Sequence, residues 1–253
     1  MKHPHAIALA ALLLVSGAIQ AQDKSVEVVH WWTSGSEGAA LKVLKDDVVK
    51  RGFNWKDSAV AGGGGDNARA ALRARVAAGT PPDAMQMLGY SITEYAEEGM
   101  LGNVDAVAAA EGWDKLVPVP LQKFSKFKGH WVAAPVNQFG FLKVGDKQMA
   151  GQAALASAVM DKSFQEKFNL VKGSIPARTD VAMDSFDDCG KKSMNDMKAA
   201  LKNNTMVGSF AHGHAMRDKA KAAAIDVVAK FFDSGKSPAE AAKQLAAAVA
   251  ANK

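Results

Sequence analysis

Two adjacent tryptophans, Trp31 and Trp32, come directly after residues 26–30, where alternating β-branched side chains predict a strand. Open α/β sheets bind ligands outside the carboxyl ends of their strands, so both indoles stand where such a ligand would lie. Exposed indole faces pack against the C–H surfaces of a sugar, and neighbouring polar groups bind its hydroxyls. The spacing equally allows one ring to belong to the hydrophobic core while the other covers a loop.

Polar and glycine-rich positions near these rings offer further contacts. Glu37 could accept hydrogen bonds from two hydroxyls, although a carboxylate in the first turn of a helix explains it equally well. The glycine run 62–65, ahead of a helix that Asp66 is predicted to cap, resembles an anion cradle. It lacks the Lys-Ser/Thr of a phosphate loop, and the GxGxxG spacing fails. A tight chain reversal is the favoured interpretation, with the backbone N–H groups of Gly63 and Gly64 available to a sugar.

Other chemistries find little support in the residue pattern. His212 and His214 flank one glycine, but two ligands do not make a metal site. Cys189 is the single cysteine, which excludes an internal disulfide and a four-cysteine zinc site. No nucleophile elbow or Ser/His/Asp arrangement is evident, and adjacent carboxylates such as Asp46 and Asp47 fall on a predicted helix. We therefore expect no metal, no cofactor and no enzymatic activity.

The composition is that of an ordinary globular protein: 253 residues, 48% hydrophobic and 23% charged, with a net charge of +5. These values exclude a disordered chain, a collagen-like repeat and a polytopic membrane protein. The densest basic stretch, residues 123–128, is short and interleaved with apolar residues. Nucleic-acid binding needs a larger basic patch on a recognisable module, so we expect no nucleic-acid partner.

Residues 1–21 have the pattern of a cleaved secretory signal peptide. Lys2 precedes the apolar run 6–15, and the small residues Ala18 and Ala21 frame a cleavage site. The apolar run is shorter than the roughly 20 residues that span a bilayer. We therefore predict export, which in a bacterium leads to the periplasm.

The remaining chain alternates strands and helices before becoming wholly helical. Strands are predicted near 26–30, 57–61, 83–88 and 131–136, with helices between them, and this order favours a mostly parallel sheet covered on both faces. Five helices are predicted after residue 147, the last starting at the capping sequence Ser237-Pro238-Ala239-Glu240. We assign residues 22–185 to an α/β lobe and 186–253 to a helical C-terminal region.

Several motifs together resemble the bacterial periplasmic sugar-binding proteins of ABC transporters (solute-binding protein family 1), especially the glucose/mannose-binding branch. They are HWWTSGSEGAALKVL, GGGGDNARAALRARVAAGTPPDAMQ, GHWVAAPVN, LVKGSIPARTDV and VGSFAHGHAM. The resemblance implies a two-lobed α/β protein that closes on a monosaccharide and delivers it to a permease in the inner membrane. It also implies that Trp31, Trp32, Glu37, Lys172 and His212 contact the sugar.

The chain departs from this family in three respects. It is short for two lobes: a segment expected after Asn137 is missing, and Gln138 starts a motif found much later in relatives. The second lobe would thus be largely absent, with a junction at 137/138. Leu88 stands where relatives tend to carry a polar or basic ligand residue, and Cys189 is unpaired in a chain predicted to be exported.

The resemblance predicts a periplasmic, non-enzymatic component of an ABC sugar transporter that binds a monosaccharide such as glucose. The alternative is an internally deleted remnant with weak or no sugar binding, acting at most as a folded interaction module. In both cases the apolar faces of the helices after residue 186 need to be covered by the first lobe, another subunit or a chaperone.

Overall fold

A computed structural model describes residues 24–135 and 138–252 of the chain. The predicted signal peptide and the two residues before Gln138 lie outside these ranges. Within them the chain forms seven strands, β1 to β7 in order: Ser25–His30, Asn54–Ala59, Ala84–Gln86, Lys126–Phe127, His130–Trp131, Ala133–Ala134 and Phe139–Phe141. The helices α1 to α11 of the same ranges are Gly35–Lys50, Asp66–Ala77, Tyr90–Glu97, Asp105–Glu111, Trp113–Leu116, Val119–Gln122, Asp146–Met160, Lys162–Lys172, Asp188–Asn203, Asp218–Phe232 and Pro238–Ala250.

Five of the strands form one sheet in the order β2-β1-β3-β7-β6. The strands β2, β1 and β3 run parallel, with His30 paired to Ala59 at the end of β1 and β2. In contrast to the mostly parallel sheet we predicted, β7 is antiparallel to both β3 and β6. Only residues 135–138 separate β6 from β7, and a parallel connection needs a dozen residues or more. The amino end of β7 consequently lies at the carboxyl end of β3, where Gln86 faces Phe139.

Helices cover both faces of the sheet, as predicted. On one face, which we call the α1 face, α1, α7 and α8 bury side chains that recur at helical spacing, among them Leu41, Leu44, Val159 and Phe168. On the opposite α2 face, α2 and α3 bury Leu72, Ile92 and Tyr95. The α/β lobe followed by a helical region is thus confirmed.

The element boundaries differ from the sequence-based expectation in a few places. The second strand begins at Asn54, earlier than expected, and the strand predicted for 131–136 is broken into β5 and β6. Asp66 is the first residue of α2, and Gly65, in a left-handed conformation, takes the cap position instead. The predicted start of α11 is confirmed, because Ser237 and Glu240 form a reciprocal capping box.

The start of α10 contacts α3 of the α/β lobe. Arg217 donates two hydrogen bonds of 2.8 Å to Glu97, and the backbone N–H of Asp218 donates to Glu94 at 3.1 Å. The helices α10 and α11 otherwise pack on each other. They leave a stripe of large apolar side chains exposed on α10, formed by Ile225, Val228 and Phe232. Among the described residues, no helix is both long and apolar enough to cross a membrane.

Truncating a core residue of α1 tests this packing. Leu44 is fully buried, so we expect Leu44→Ala to lower the free energy of unfolding by about 3 kcal/mol through lost burial and a residual cavity. Val49, on the same helix, is 55% exposed and provides the control, Val49→Ala, for which we expect a change below about 0.5 kcal/mol. Urea denaturation measures both, and equal losses would contradict the assigned core.

Candidate functional site at the carboxyl edge of the sheet

The carboxyl ends of β1, β2 and β3 lie along one edge of the sheet because these strands are parallel. The chain leaves this edge at Trp31 after β1, at the glycine turn after β2 and at Leu88 after β3. Gln138 joins them from the antiparallel strand β7. The sequence-predicted residues around these positions therefore lie on the side of the sheet where open α/β folds bind ligands.

The two tryptophans differ in environment because successive residues of an extended chain point to opposite sides. Trp32 lies on the α1 face and is only 3% exposed. Its ring packs edge-on against Phe139 and at a tilt against Phe168, with ring centroids 6.1 and 5.9 Å apart. The expectation of two exposed rings is thus corrected for Trp32, which is a core residue.

Trp31 lies half-buried over the glycine turn that follows β2. Residues 63–65 form a short 3-10 turn, and Gly62, Gly64 and Gly65 all have positive φ. A Cβ on Gly65 would stand 2.9 Å from Cε3 of the Trp31 indole, so glycine is needed for the ring to approach. The chain-reversal interpretation of this glycine run is therefore the one that the structure supports.

Glu37 and Lys172 meet above the buried indole. Lys172 ends α8, and its Nζ lies 4.0 Å from the Glu37 carboxylate in the first turn of α1. The same Nζ lies 5.7 Å from the ring centroid of Trp32, within the range of a cation–π contact. Trp32 thus supports an ion pair at the edge, and Glu37 is half-exposed and open to solvent.

His212 lies on the loop 208–215, which is seated against the start of α3. The backbone N–H of Tyr90 donates to the carbonyl of Gly213 at 2.9 Å, and Gly89 contacts the same loop so closely that no side chain fits between them. His212 is exposed, and its Nδ1 lies 3.0 Å from the Ser209 hydroxyl. The loop brings a histidine from near the end of the chain to the carboxyl end of β3.

Two neighbouring cavities open at this edge, and Leu88 lines both. The first, which we call the cleft, has a volume of about 230 Å³ and is lined by mainly apolar side chains with a few polar groups, including Gln138, Ser174, His212 and His214. The second, of about 440 Å³, lies beside Gly64, Asp66, Arg69 and Lys221. An apolar enclosure with a few placed polar groups is typical of small-molecule sites.

The predicted site residues thus fall into three groups along the edge. Trp31 lies with the glycine turn that includes Gly63 and Gly64, Trp32 lies with Glu37 and Lys172, and His212 lies in the cleft. Sequence reasoning missed Gln138 and Ser174. Both residues fall in stretches that resemble the family, but the signal for a site was only their position, Gln138 directly before a short strand and Ser174 directly after the helix-ending Gly173.

A charge network joins the buried His30 at the end of β1 to the partly exposed Asp57 of β2 and Lys45 of α1. The Nε2 of His30 and the Nζ of Lys45 each lie 2.6 Å from a carboxylate oxygen of Asp57. Burial lowers the pKa of His30, against the opposing effect of Asp57. Burial alone would raise the pKa of Asp57, but hydrogen bonds from Lys45, His30 and Trp55 outweigh it and lower the pKa to about 2.

Within residues 24–135 and 138–252, no three metal-ligating side chains lie close enough together to hold an ion. His212 and His214 face different neighbours, since His212 contacts Ser209 while His214 packs edge-on against Phe124 at 4.6 Å. Burial also lowers the pKa of His214. A neutral imidazole has one donor and one acceptor nitrogen, which suits a hydroxyl-rich ligand.

The family model described as bacterial extracellular solute-binding protein matches residues 18–182. Two curated relatives match nearly the whole chain, each called a probable sugar-binding periplasmic protein. The Rhizobium meliloti (strain 1021) protein is 32% identical over 97% of this chain and 98% of its own, and the Brucella suis protein is 30% identical over 98% of both. The chain therefore belongs to the bacterial extracellular solute-binding proteins.

A solved structure extends the comparison to the fold. The bacterial solute receptor AcbH matches 89% of this chain and 97% of its own with a TM-score of 0.67 and 10% identity, a likeness of fold alone. The periplasmic location predicted from the sequence is confirmed by the relatives' designation as periplasmic proteins. A solute-binding family also agrees with the expectation of a protein that is not an enzyme.

The match to the Rhizobium relative runs over 407 aligned positions, far more than the 253 residues of this chain. Since almost all of both chains lies within the alignment, the relative has residues between its matched ends for which this chain has no counterpart. The predicted position of that difference, 137/138, stays a prediction.

The contact between Gly89 and the loop 208–215 can be tested by substituting the glycine. In Gly89→Ala the added Cβ would lie 2.8 Å from the carbonyl oxygen of His212 and closer still to Gly213, so we expect the loop 208–215 to be displaced. Gly99→Ala is the matched control, because Gly99 also has a positive φ but open space around it. Hydrogen exchange should show lost protection over 208–218 in Gly89→Ala only. Equal exchange in the two variants would contradict the seating.

The charge network predicts acid sensitivity. Unfolded His30 binds a proton below pH of about 6.5, whereas the folded residue stays neutral at that pH, so acidification favours the unfolded state. Asp57 acts in the same direction at lower pH, because its folded-state pKa is depressed. We expect the urea midpoint to fall between pH 7 and pH 5, and to fall less in His30→Gln, which can still donate to Asp57. The same pH dependence in both proteins would show that His30 is not the titrating group.

Proposed function

We propose that this protein is the periplasmic substrate-binding component of an ABC sugar transporter, which binds a monosaccharide such as glucose and delivers it to a permease in the inner membrane. The relatives' designation as probable sugar-binding proteins supports the substrate class. The glucose-like specificity rests on the motifs around Trp31 and Trp32 and on those that contain Lys172 and His212.

The observation that carries the proposal is the convergence of complementary groups at one edge of the sheet. The Glu37 carboxylate accepts hydrogen bonds, the Lys172 ammonium donates them and the His212 imidazole can do both, which matches hydroxyls that donate and accept. The half-buried indole of Trp31 supplies an aromatic surface at the same edge, over the glycine turn. These groups come from α1, α8 and the loop 208–215, which the fold alone brings together.

The binding we propose is weak and reversible. Closed sites bury most of a ligand's surface, whereas both cavities at this edge are open to solvent. We infer that the residues this chain lacks relative to the Rhizobium protein include a second wall of the site. If that wall supplied about 4 kcal/mol, its loss lowers the affinity roughly a thousandfold, toward millimolar dissociation constants.

Titration of the mature chain with glucose tests the proposal. We expect heat in calorimetry and quenching of tryptophan fluorescence in the millimolar range, and at least tenfold weaker binding in Trp31→Ala, which removes the aromatic surface. Lys172→Met should also weaken binding, because it removes a donor and leaves Glu37 without its partner.

Trp55→Phe is the control, since Trp55 lies near the amino end of the edge strand β2, paired with Val26 and away from the carboxyl edge. It should keep wild-type affinity, and urea midpoints of all variants verify that they are folded. Titrations that give neither heat nor quenching up to high millimolar glucose and mannose would refute sugar binding by this chain.

A further inference from the structure

We propose that Gln138 determines specificity in the cleft, by positioning the loop that carries His212 and by presenting its own amide N–H groups to the ligand. This role deepens the proposed function and rests on it for the class of ligand. Neither the motifs that identify the family nor the comparisons assign a role to this residue.

The backbone of Gln138 is buried in an unusual conformation. The residue is only 6% exposed and has φ of +44°, a left-handed conformation that is uncommon outside glycine. Its carbonyl oxygen accepts a hydrogen bond of 2.7 Å from the N–H of Met87. Residues whose backbone is held in such a conformation are fixed by their surroundings, and they concentrate at functional sites.

A series of contacts connects the Gln138 side chain to the loop that carries His212. The side-chain Oε1 of Gln138 accepts a 2.6 Å hydrogen bond from the N–H of Gly89. Gly89 and the N–H of Tyr90 in turn hold the carbonyl of Gly213, next to His212. Gly89 is buried and has φ of +51°, a conformation that glycine adopts readily, and Gln138 is its side-chain partner among the described residues. The amide of Gln138 therefore helps to fix where the loop is seated.

The Nε2 group of the Gln138 amide is available to a ligand. Since the Gly89 N–H needs an acceptor, Oε1 must face it, and the Nε2 group must face the other way. That nitrogen makes no hydrogen bond to another of the described residues, and Gln138 lines the cleft. Two N–H donors therefore point toward a ligand beside Leu88, which offers no polar group of its own.

The chemistry of this group selects a neutral acceptor. An amide donates to a hydroxyl or ring oxygen without attracting counter-ions, in contrast to Lys172 farther along the edge. Gln138 thus supplies the polar contact that Leu88 lacks in this chain.

Gln138→Met, which keeps the length of the side chain and removes both hydrogen-bonding functions, tests the proposal. We expect about three- to tenfold weaker glucose binding, the effect of one neutral hydrogen bond. We also expect faster hydrogen exchange over the loop 208–215, measured without sugar. Among 2-, 3- and 6-deoxyglucose, one sugar should bind to the wild type and to Gln138→Met with equal affinity. That sugar lacks the hydroxyl that Gln138 binds, so removing the amide costs it nothing more.

Gln152→Met is the matched control, since Gln152 is a buried glutamine that donates to the carbonyls of Asp83 and Leu142 away from the cleft. It should lower the urea midpoint but leave the deoxysugar profile and the loop exchange unchanged. If Gln138→Met does not fold, Gln138→Glu at pH 8 replaces it. Its carboxylate still accepts from Gly89, so loop exchange should stay as in the wild type while the deoxysugar profile changes.

The two readouts separate this proposal from the proposed function. Wild-type loop exchange and an unchanged deoxysugar profile in Gln138→Met, with normal glucose binding, would overturn the role of Gln138 and leave sugar binding intact. Faster loop exchange in a protein whose wild type binds none of the sugars would support the positioning role and refute sugar binding instead.

Discussion

The parallel alignment of β1 with its two neighbours is the constraint on which the remaining structure depends. It gathers the carboxyl ends of three strands at one edge, and the alternation along β1 then decides which side chains reach the core and which reach that edge. His30 and Trp32 face α1, whereas Trp31 emerges over the glycine turn. The ion pair of Glu37 and Lys172 is held above the buried ring that this alternation places beneath it.

The sequence was informative wherever a local pattern sufficed. The strand at β1, the helix α1 and the capped start of α11 depend on short-range periodicity and on side chains three residues apart. The glycine run was likewise interpretable as a turn, because positive φ at several adjacent positions is easily adopted only by glycine. These features needed no knowledge of distant contacts.

The rest depended on contacts between distant parts of the chain. Trp32 is buried by Phe168, more than a hundred residues away, and nothing in its own neighbourhood distinguishes it from Trp31. The antiparallel direction of β7 follows from its short connection to β6, a property of topology rather than of composition. Gln138 begins a family-like motif that assigns it no role, and the role we propose for it rests on the contact between its amide and Gly89. Local periodicity therefore identified the elements, while the cleft required the assembled fold.

The contacts that hold the C-terminal helices affect the order in which regions of the protein unfold. The α/β lobe is closed by buried apolar side chains on both faces of its sheet, whereas α10 contacts α3 through one half-exposed ion pair and a backbone hydrogen bond to Glu94. Regions joined in this way open at lower free energy than the core and form separate cooperative units. The loop with His212 leads into α10, so loosening of that helix would carry His212 away from the cleft while the sheet beneath it is still intact.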